Sequence, residues 1–164
     1  MGIRNAAKVI ILIENKILLI KYKNEIGAIC WGIPTGGIYY TLPGGGQNIY
    51  ETIEEAAVRE CREETGYEIK IGRLAAVCEE ITVNAEFRRL YPDHAHKLHF
   101  IFTASVTDET PGSVTEPDFG MTGLERADIK NIKNYPLYPE IVKNNIESII
   151  NSESVLYLGS ERTA

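Results

Sequence analysis

Three glutamates, Glu60, Glu63 and Glu64, stand within five residues of one another, with Glu51 and Arg59 upstream. The stretch from about Ile49 to Thr65 reads as a helix. Asn48 can cap its start with Glu51 three residues on, as in a capping box, and Gly66 suits the left-handed position beyond its end. On a wheel of ~100° per residue, Ile53, Ala56 and Ala57 share the arc that should face a core. Glu60 and Glu64 fall in that same arc and Glu63 at its edge, whereas Glu51, Glu55, Arg59 and Arg62 share the opposite side. A solvated acidic helix would turn its glutamates outward. Here the i,i+4 pair Glu60/Glu64 repels by a few tenths of a kcal/mol. The carboxylates also sit at the helix end where the dipole disfavours anions by about 0.3–1 kcal/mol each. Desolvation would add more. A cation must compensate, and clustered hard oxygens suit Mg²⁺ or Mn²⁺. The alternative is a plain charged surface, with the helix rotated outward.

The loop before the helix fits the same chemistry. Pro43-Gly44-Gly45-Gly46 lets backbone approach a ligand closely. Its carbonyls can add a metal ligand and its amides can face an anion. It is not a Walker loop, because no Gly-Lys-Ser/Thr follows, and it is not G-x-G-x-x-G.

Gly45, five residues, Glu51, seven residues, then Arg59-Glu60-Cys61-Arg62-Glu63-Glu64-Thr65-Gly66-Tyr67 resembles the Nudix box, G-x5-E-x7-R-E-U-x-E-E-x-G-U with U bulky and apolar. At residue frequencies of about 7%, chance agreement at all seven fixed positions is on the order of 10⁻⁸ per start position. The surroundings, roughly 7–150, resemble the family as well: an apolar hairpin before the box, Tyr40-Thr41-Leu42-Pro43-Gly44 leading into it, and a long strand and acidic loop after it. Cys61 and Tyr67 depart from the usual aliphatic residues. Gly46 stands where some members carry a Lys, so that cation is missing.

The resemblance implies an α+β fold, the Nudix α/β/α sandwich with helices flanking a mixed β-sheet. It implies a hydrolase that cleaves the diphosphate linkage of a nucleoside diphosphate derivative. Glu60, Glu63 and Glu64, helped by the Gly45 carbonyl, would bind Mg²⁺ or Mn²⁺, while Glu51, Arg59 and Gly66 would be structural, the first two pairing away from the metal arc. Metal ions reverse the field that a chain of net charge −6 and three glutamates turns on a diphosphate. They also lower the pKa of a water they hold, which makes it a nucleophile. Glu60 or Glu63 would take the proton, or a further acid from the loop before residue 120, Glu116 or Asp118 with Asp108 and Glu109 behind. Each of these loop acids is equally readable as a solvated surface group.

Substrate identity is weakly encoded. Trp31, Tyr39 and Tyr40 can stack on a base or simply pack on a sheet. Arg88, Arg89 and Lys97, in the basic segment 87–97, can hold phosphates or stand on the surface. His94, His96 and His99 lack helical ligand spacing. The Pro that often marks the ADP-ribose subfamily about fifteen residues after the box is absent at Thr82-Val83, and so is the diadenosine-polyphosphate Tyr. A nucleoside triphosphate is the mildest remaining substrate. A non-nucleotide diphosphate (isoprenoid or sugar) and a nucleotide-sensing module without catalysis are the alternatives; costly carboxylates on a packing face argue against the module. Family members are often homodimers.

These residues must be positioned by one domain. The chain has 164 residues, 17 Lys+Arg and 23 Asp+Glu. That length suits a single core, about 7–150, with 151–164 a peripheral tail. No apolar run reaches the ~18 residues of a membrane span. Three cysteines without a C-x-x-C pair fit a reducing cytoplasm. An acidic chain has no electrostatic reason to bind DNA, and any phosphate it handles needs positive charge supplied locally. Residues 7–13 and 17–22 read as strands around a tight turn and 38–42 as a short strand. Residues 67–71, 74–83 and 98–106 read as further strands, 107–120 as a polar loop, and 141–150 as an amphipathic helix. Residues 122–133 are ambiguous.

Overall fold

The computed structural model describes residues 2–25, 32–108 and 110–163. Trp31, Cys30 and Glu109 lie outside the described residues. The apolar run at the N-terminus lacks strict alternation because it is a central strand covered on both faces. β1 (Arg4–Ile13) runs parallel to β5 (His96–Val106), and turns through Glu14 and Asn15, both at positive φ, into antiparallel β2 (Lys16–Lys23). β2 pairs with β3 (Ile38–Thr41) and with β6 (Met121–Asp128). β4 (Ile69–Thr82) pairs antiparallel with β5, and β7 (Leu156–Thr163) adds in parallel to β4. The order is β3-β2-β1-β5-β4-β7, with β6 beside β2.

Helices cover both faces. α1 (Ile53–Thr65) lays Ala56, Ala57 and Cys61 against Val9, Ile11, Leu18 and Phe102. α3 (Glu140–Asn151) lays Val142, Ile146 and Ile149 against Ile10, Ile17, Leu19 and Ile101 on the other face. Two apolar layers around a mixed sheet are the expected α+β sandwich. Among the described residues, no helix is long and apolar enough to cross a membrane.

Three expectations change. The helix starts at Ile53 rather than near Ile49, and the capping box is Thr52 with Glu55, both of its hydrogen bonds being formed. Glu51 still accepts from the Asn48 amide, but its carboxylate is turned to Arg59, so that turn does not continue as helix. The strands expected at 67–71 and 74–83 are one, with register shifts around Gly72. Residues 122–133 resolve into β6 and a 3₁₀ turn (Ile129–Asn134). Within the stretch expected as a peripheral tail, Leu156–Thr163 forms β7 at the edge of the sheet. From β7, Glu161 accepts hydrogen bonds from the Glu140 and Ile141 amides and so caps α3, whose N-cap residue, Pro139, supplies no side-chain cap.

Candidate active site

The carboxylates of α1 meet the glycine loop at one mouth of the sheet. The Gly45 carbonyl accepts from the Ala7 amide at 2.8 Å, which fastens the loop to β1. A Cβ at Gly45 would stand 2.5 and 2.9 Å from the two Glu60 carboxylate oxygens, so only a bare α-carbon lets Glu60 lie against the loop. Glu64 is 1% exposed. It accepts from the Gly44 amide at 2.7 Å, and the Tyr22 hydroxyl lies 3.4 Å from it. Burial pushes the Glu64 carboxyl up to about 7, against the pull of Lys8 and the Gly44 amide. Desolvation favours the neutral acid here, and a nearby positive charge favours the carboxylate.

Arg59 gathers the remaining acids. Its Nε and Nη2 donate to the two Glu51 oxygens at 2.7 and 2.9 Å, Nη1 to Glu60 at 2.8 Å and Glu63 at 3.0 Å, and Nη2 to the Gly46 carbonyl at 3.0 Å. The expected Glu51–Arg59 pair is present. Its expected placement away from the metal arc is not, because the long guanidinium reaches round the helix to Glu60 and Glu63. Among the described residues, no three His, Cys, Asp or Glu side chains stand gathered as a ready metal cage. The donor set still fits a hard divalent cation, with Glu60 and Glu64 carboxylates and the Gly45 carbonyl converging on one loop. At the helix end, Gly66 takes φ 73°, and its carbonyl accepts from the Gly112 amide at 2.7 Å. The Glu63 carbonyl accepts from the Thr115 and Glu116 amides, which draws the acidic loop onto α1.

A cleft of about 190 Å³ opens beside these groups. Glu60, Asp118 and Gly44 to Gly46 form one side, and Tyr138 and Pro139 another. Arg4, Lys8, Lys97, His99 and Glu80 line it from the sheet. Of the loop acids, Asp118 reaches the cleft, with the Tyr22 hydroxyl 3.4 Å away, so Tyr22 stands between Asp118 and Glu64. Among the described residues Glu116 is engaged only through its backbone, and Asp108 caps its own turn through the Thr110 amide.

The basic residues differ most from expectation. Arg88 and Arg89 lie on the short helix α2 (Ala85–Leu90), outside the cleft. Arg88 donates to the Thr82 carbonyl beside a separate hollow, and Arg89 is exposed 3.9 Å from Glu86. Tyr40 meets Tyr135 edge-on at 5.2 Å and packs against the α3-side core, while Tyr39 stacks on Tyr22 at 5.1 Å. Lys97 of the basic segment 87–97 does line the cleft, joined by Arg4 and Lys8 from one face of β1. In the parallel register Arg4 lies opposite Lys97, and Ala6 opposite His99. Arg4 and Lys8 have the same parity on β1, as do Lys97 and His99 on β5, so each pair shares one face of the sheet. Lys8 donates to the Leu42 and Gly44 carbonyls. Lys97 lies 3.5 Å from buried Glu80, which His99 Nε2 also meets at 2.9 Å. His99 is held below its ordinary value, first by burial. His94 is too, by burial and then by the nearby charges of Arg4 and Lys97.

A family model, the NUDIX domain, matches residues 2–139. The chain belongs to the Nudix family. An ADP-ribose pyrophosphatase of Methanocaldococcus jannaschii is 32% identical over 123 residues, 75% of this chain and 59% of the relative, so the chain spans about three-fifths of that protein's length. Among solved structures, a Nudix hydrolase from Nitrosomonas europaea superposes with TM-score 0.66 at 22% identity, covering 89% of this chain and 87% of the other. A MutT protein from Bacillus halodurans superposes with TM-score 0.66 at 20% identity, covering 98% and 90%. The fold is thus the Nudix sandwich.

Proposed function

We propose that this Nudix chain is a divalent-metal-dependent pyrophosphohydrolase, with ADP-ribose the first substrate to test. The observation that carries the reading is the joining, in one cleft, of Glu60 of α1 and the glycine loop with cations from β1 and β5. The name of the M. jannaschii relative supports ADP-ribose over the nucleoside triphosphate that the missing Pro suggested. A polar lining of Arg4, Lys8, Lys97, Glu60, Glu80 and Asp118 speaks against an isoprenoid tail, which wants an aliphatic tunnel.

Glu60, Glu63, Glu64 and the Gly45 carbonyl would hold Mg²⁺ or Mn²⁺. When bound, the cation supplies charge neutralisation and Lewis acidity at phosphorus. The chain's own groups do the rest. Arg59 fixes the approach of Glu60 and Glu63 from one side. Glu60 or Glu63 takes a proton from the attacking water, and Asp118 is the further acid within the cleft. Lys8 holds the glycine loop through two carbonyls. The sheet cations offset the net negative charge and draw the diphosphate in. We place the protein in the cytoplasm, a setting that the buried free thiols of Cys61 and Cys78 support. The ligand is a small nucleotide rather than DNA, and a homodimer is compatible with the family.

The test is a panel of ADP-ribose, nucleotide sugars, nucleoside triphosphates and dinucleoside polyphosphates, with Mg²⁺, with Mn²⁺ and with EDTA. Glu63→Gln and Glu64→Gln run alongside. ADP-ribose cleaved best, with loss in EDTA and in both variants, is the expected result. Undiminished turnover in both variants would sink the carboxylate assignment, and preference for another nucleotide would replace the substrate.

A further inference from the structure

Arg4 begins β1, opposite Lys97 and two residues before Ala6, which bridges to Gly46. Its guanidinium lies over Gly46. A Cβ built there would fall among Nη2, Cζ and Nε of Arg4, with Nε 2.5 Å away. Gly46 is buried although it belongs to a surface loop. Lys8 is spent on backbone carbonyls and Lys97 faces Glu80, but Arg4 makes no ion pair among the described residues. Like charges opposite one another on adjacent strands destabilise a sheet. Arg4 and Lys97 stand that way at the cleft, close enough to act together on His94. A planar fork of N–H donors with no carboxylate partner, beside a second cation, suits an oxyanion of phosphate.

We propose that Arg4, laid over the bare α-carbon of Gly46 and seconded by Lys97, is an anion subsite. It receives the phosphoryl group of the substrate that lies away from the α1 carboxylates, and residue 46 must lack a side chain because the guanidinium occupies its place. This rests on the diphosphate-hydrolase reading. The subsite explains how a loop without its own lysine still presents a cation beside the glycines: the charge is delivered from the neighbouring strand.

The experiment titrates inorganic pyrophosphate into the full chain in excess EDTA, followed by phosphorus NMR and calorimetry. Arg4→Ala should weaken binding about ten-fold or more, the size of a lost charged hydrogen bond to an anion. Gly46→Ala should weaken it too, by pushing the guanidinium aside. The double variant should bind no worse than Arg4→Ala alone, because the two act through one group. Lys70→Ala, an exposed charge on β4, should bind as wild type. Circular dichroism melts verify folding, and Arg4→Gln replaces Arg4→Ala if the latter unfolds. Four results overturn the subsite: no binding by wild type, Arg4→Ala within about two-fold of wild type, losses that multiply in the double variant, or an equal loss in Lys70→Ala. Arg4-dependent pyrophosphate binding in a protein that cleaves no nucleotide would leave the subsite standing and remove the substrate reading. ADP-ribose hydrolysis with pyrophosphate binding indifferent to Arg4 would remove the subsite alone.

Discussion

Replacing Arg59 by alanine tests whether one cation holds the box together. Its guanidinium, with a side chain 22% exposed, makes four short contacts with three carboxylates of 14–19% exposure and one with a carbonyl. Each charged hydrogen bond is worth roughly 1.5–3 kcal/mol, but those energies are not additive. Breaking a fully buried ion pair from one side costs about 3–5 kcal/mol, and partial exposure lowers that to about 2–4 kcal/mol here. At 2–4 °C per kcal/mol for a chain of this size, the melting temperature should fall by about 5–15 °C. Urea unfolding, fitted with an unchanged slope, gives the same loss as a lower midpoint. Arg59→Lys should recover little, since one compact ammonium cannot span Glu51, Glu60 and Glu63 together. A loss below about 0.5 kcal/mol, the scale of an ordinary surface substitution, would refute the reasoning, as would full recovery in Arg59→Lys.

Other consequences follow from separate contacts. Hydrogen bonding to Arg59 holds the Glu51 carboxyl below its ordinary 4.5. Its stabilisation is therefore present above that value and lost as pH falls through the lower folded one, so the urea stability gap between wild type and Glu51→Gln should shrink between pH ~5 and ~3; a constant gap would contradict this. Gly66→Ala should cost about 1–3 kcal/mol by thermal melt, because the residue holds φ 73° and a Cβ would strike the Gly112 carbonyl; a neutral result would mean that the loop yields freely. Glu161→Ala should cost about 1 kcal/mol and speed hydrogen exchange in the first turn of α3, the effect of a lost cap; unchanged exchange would deny the cap.

The box, its helix and the sandwich were legible because local spacing carries them. Ala56 and Ala57 face the core as the wheel required, and Glu64 is buried on that side, joined by Cys61, which the wheel reading had not placed. The helix start was misplaced because Asn48/Glu51 and Thr52/Glu55 offer equal capping signals. A contact eight residues away, Glu51 to Arg59, decides between them. Arg4 and Lys97 were brought together by β1–β5 register, a pairing of residues 93 positions apart that no local pattern encodes. Tyr22 was invisible for the same reason, since its hydroxyl meets Glu64 and Asp118 only after β2, α1 and the acidic loop converge. Of the basic run 87–97, Lys97 lines the cleft, while Arg88 donates to the Thr82 carbonyl and Arg89 is exposed near Glu86, a division that only the strand and helix placement makes.

The two sides of the cleft come from chain segments of unlike kind. One is a short contiguous stretch, residues 44–64, in which spacing is rigid because loop, helix and guanidinium interlock. The other is a set of side chains on β1, β4 and β5 that face the cleft from separate strands and are set apart in the sequence. A lineage that duplicates such a gene can therefore exchange what the cleft accepts by point changes at positions such as 4, 80, 97 or 99. The reacting apparatus is inherited as a block.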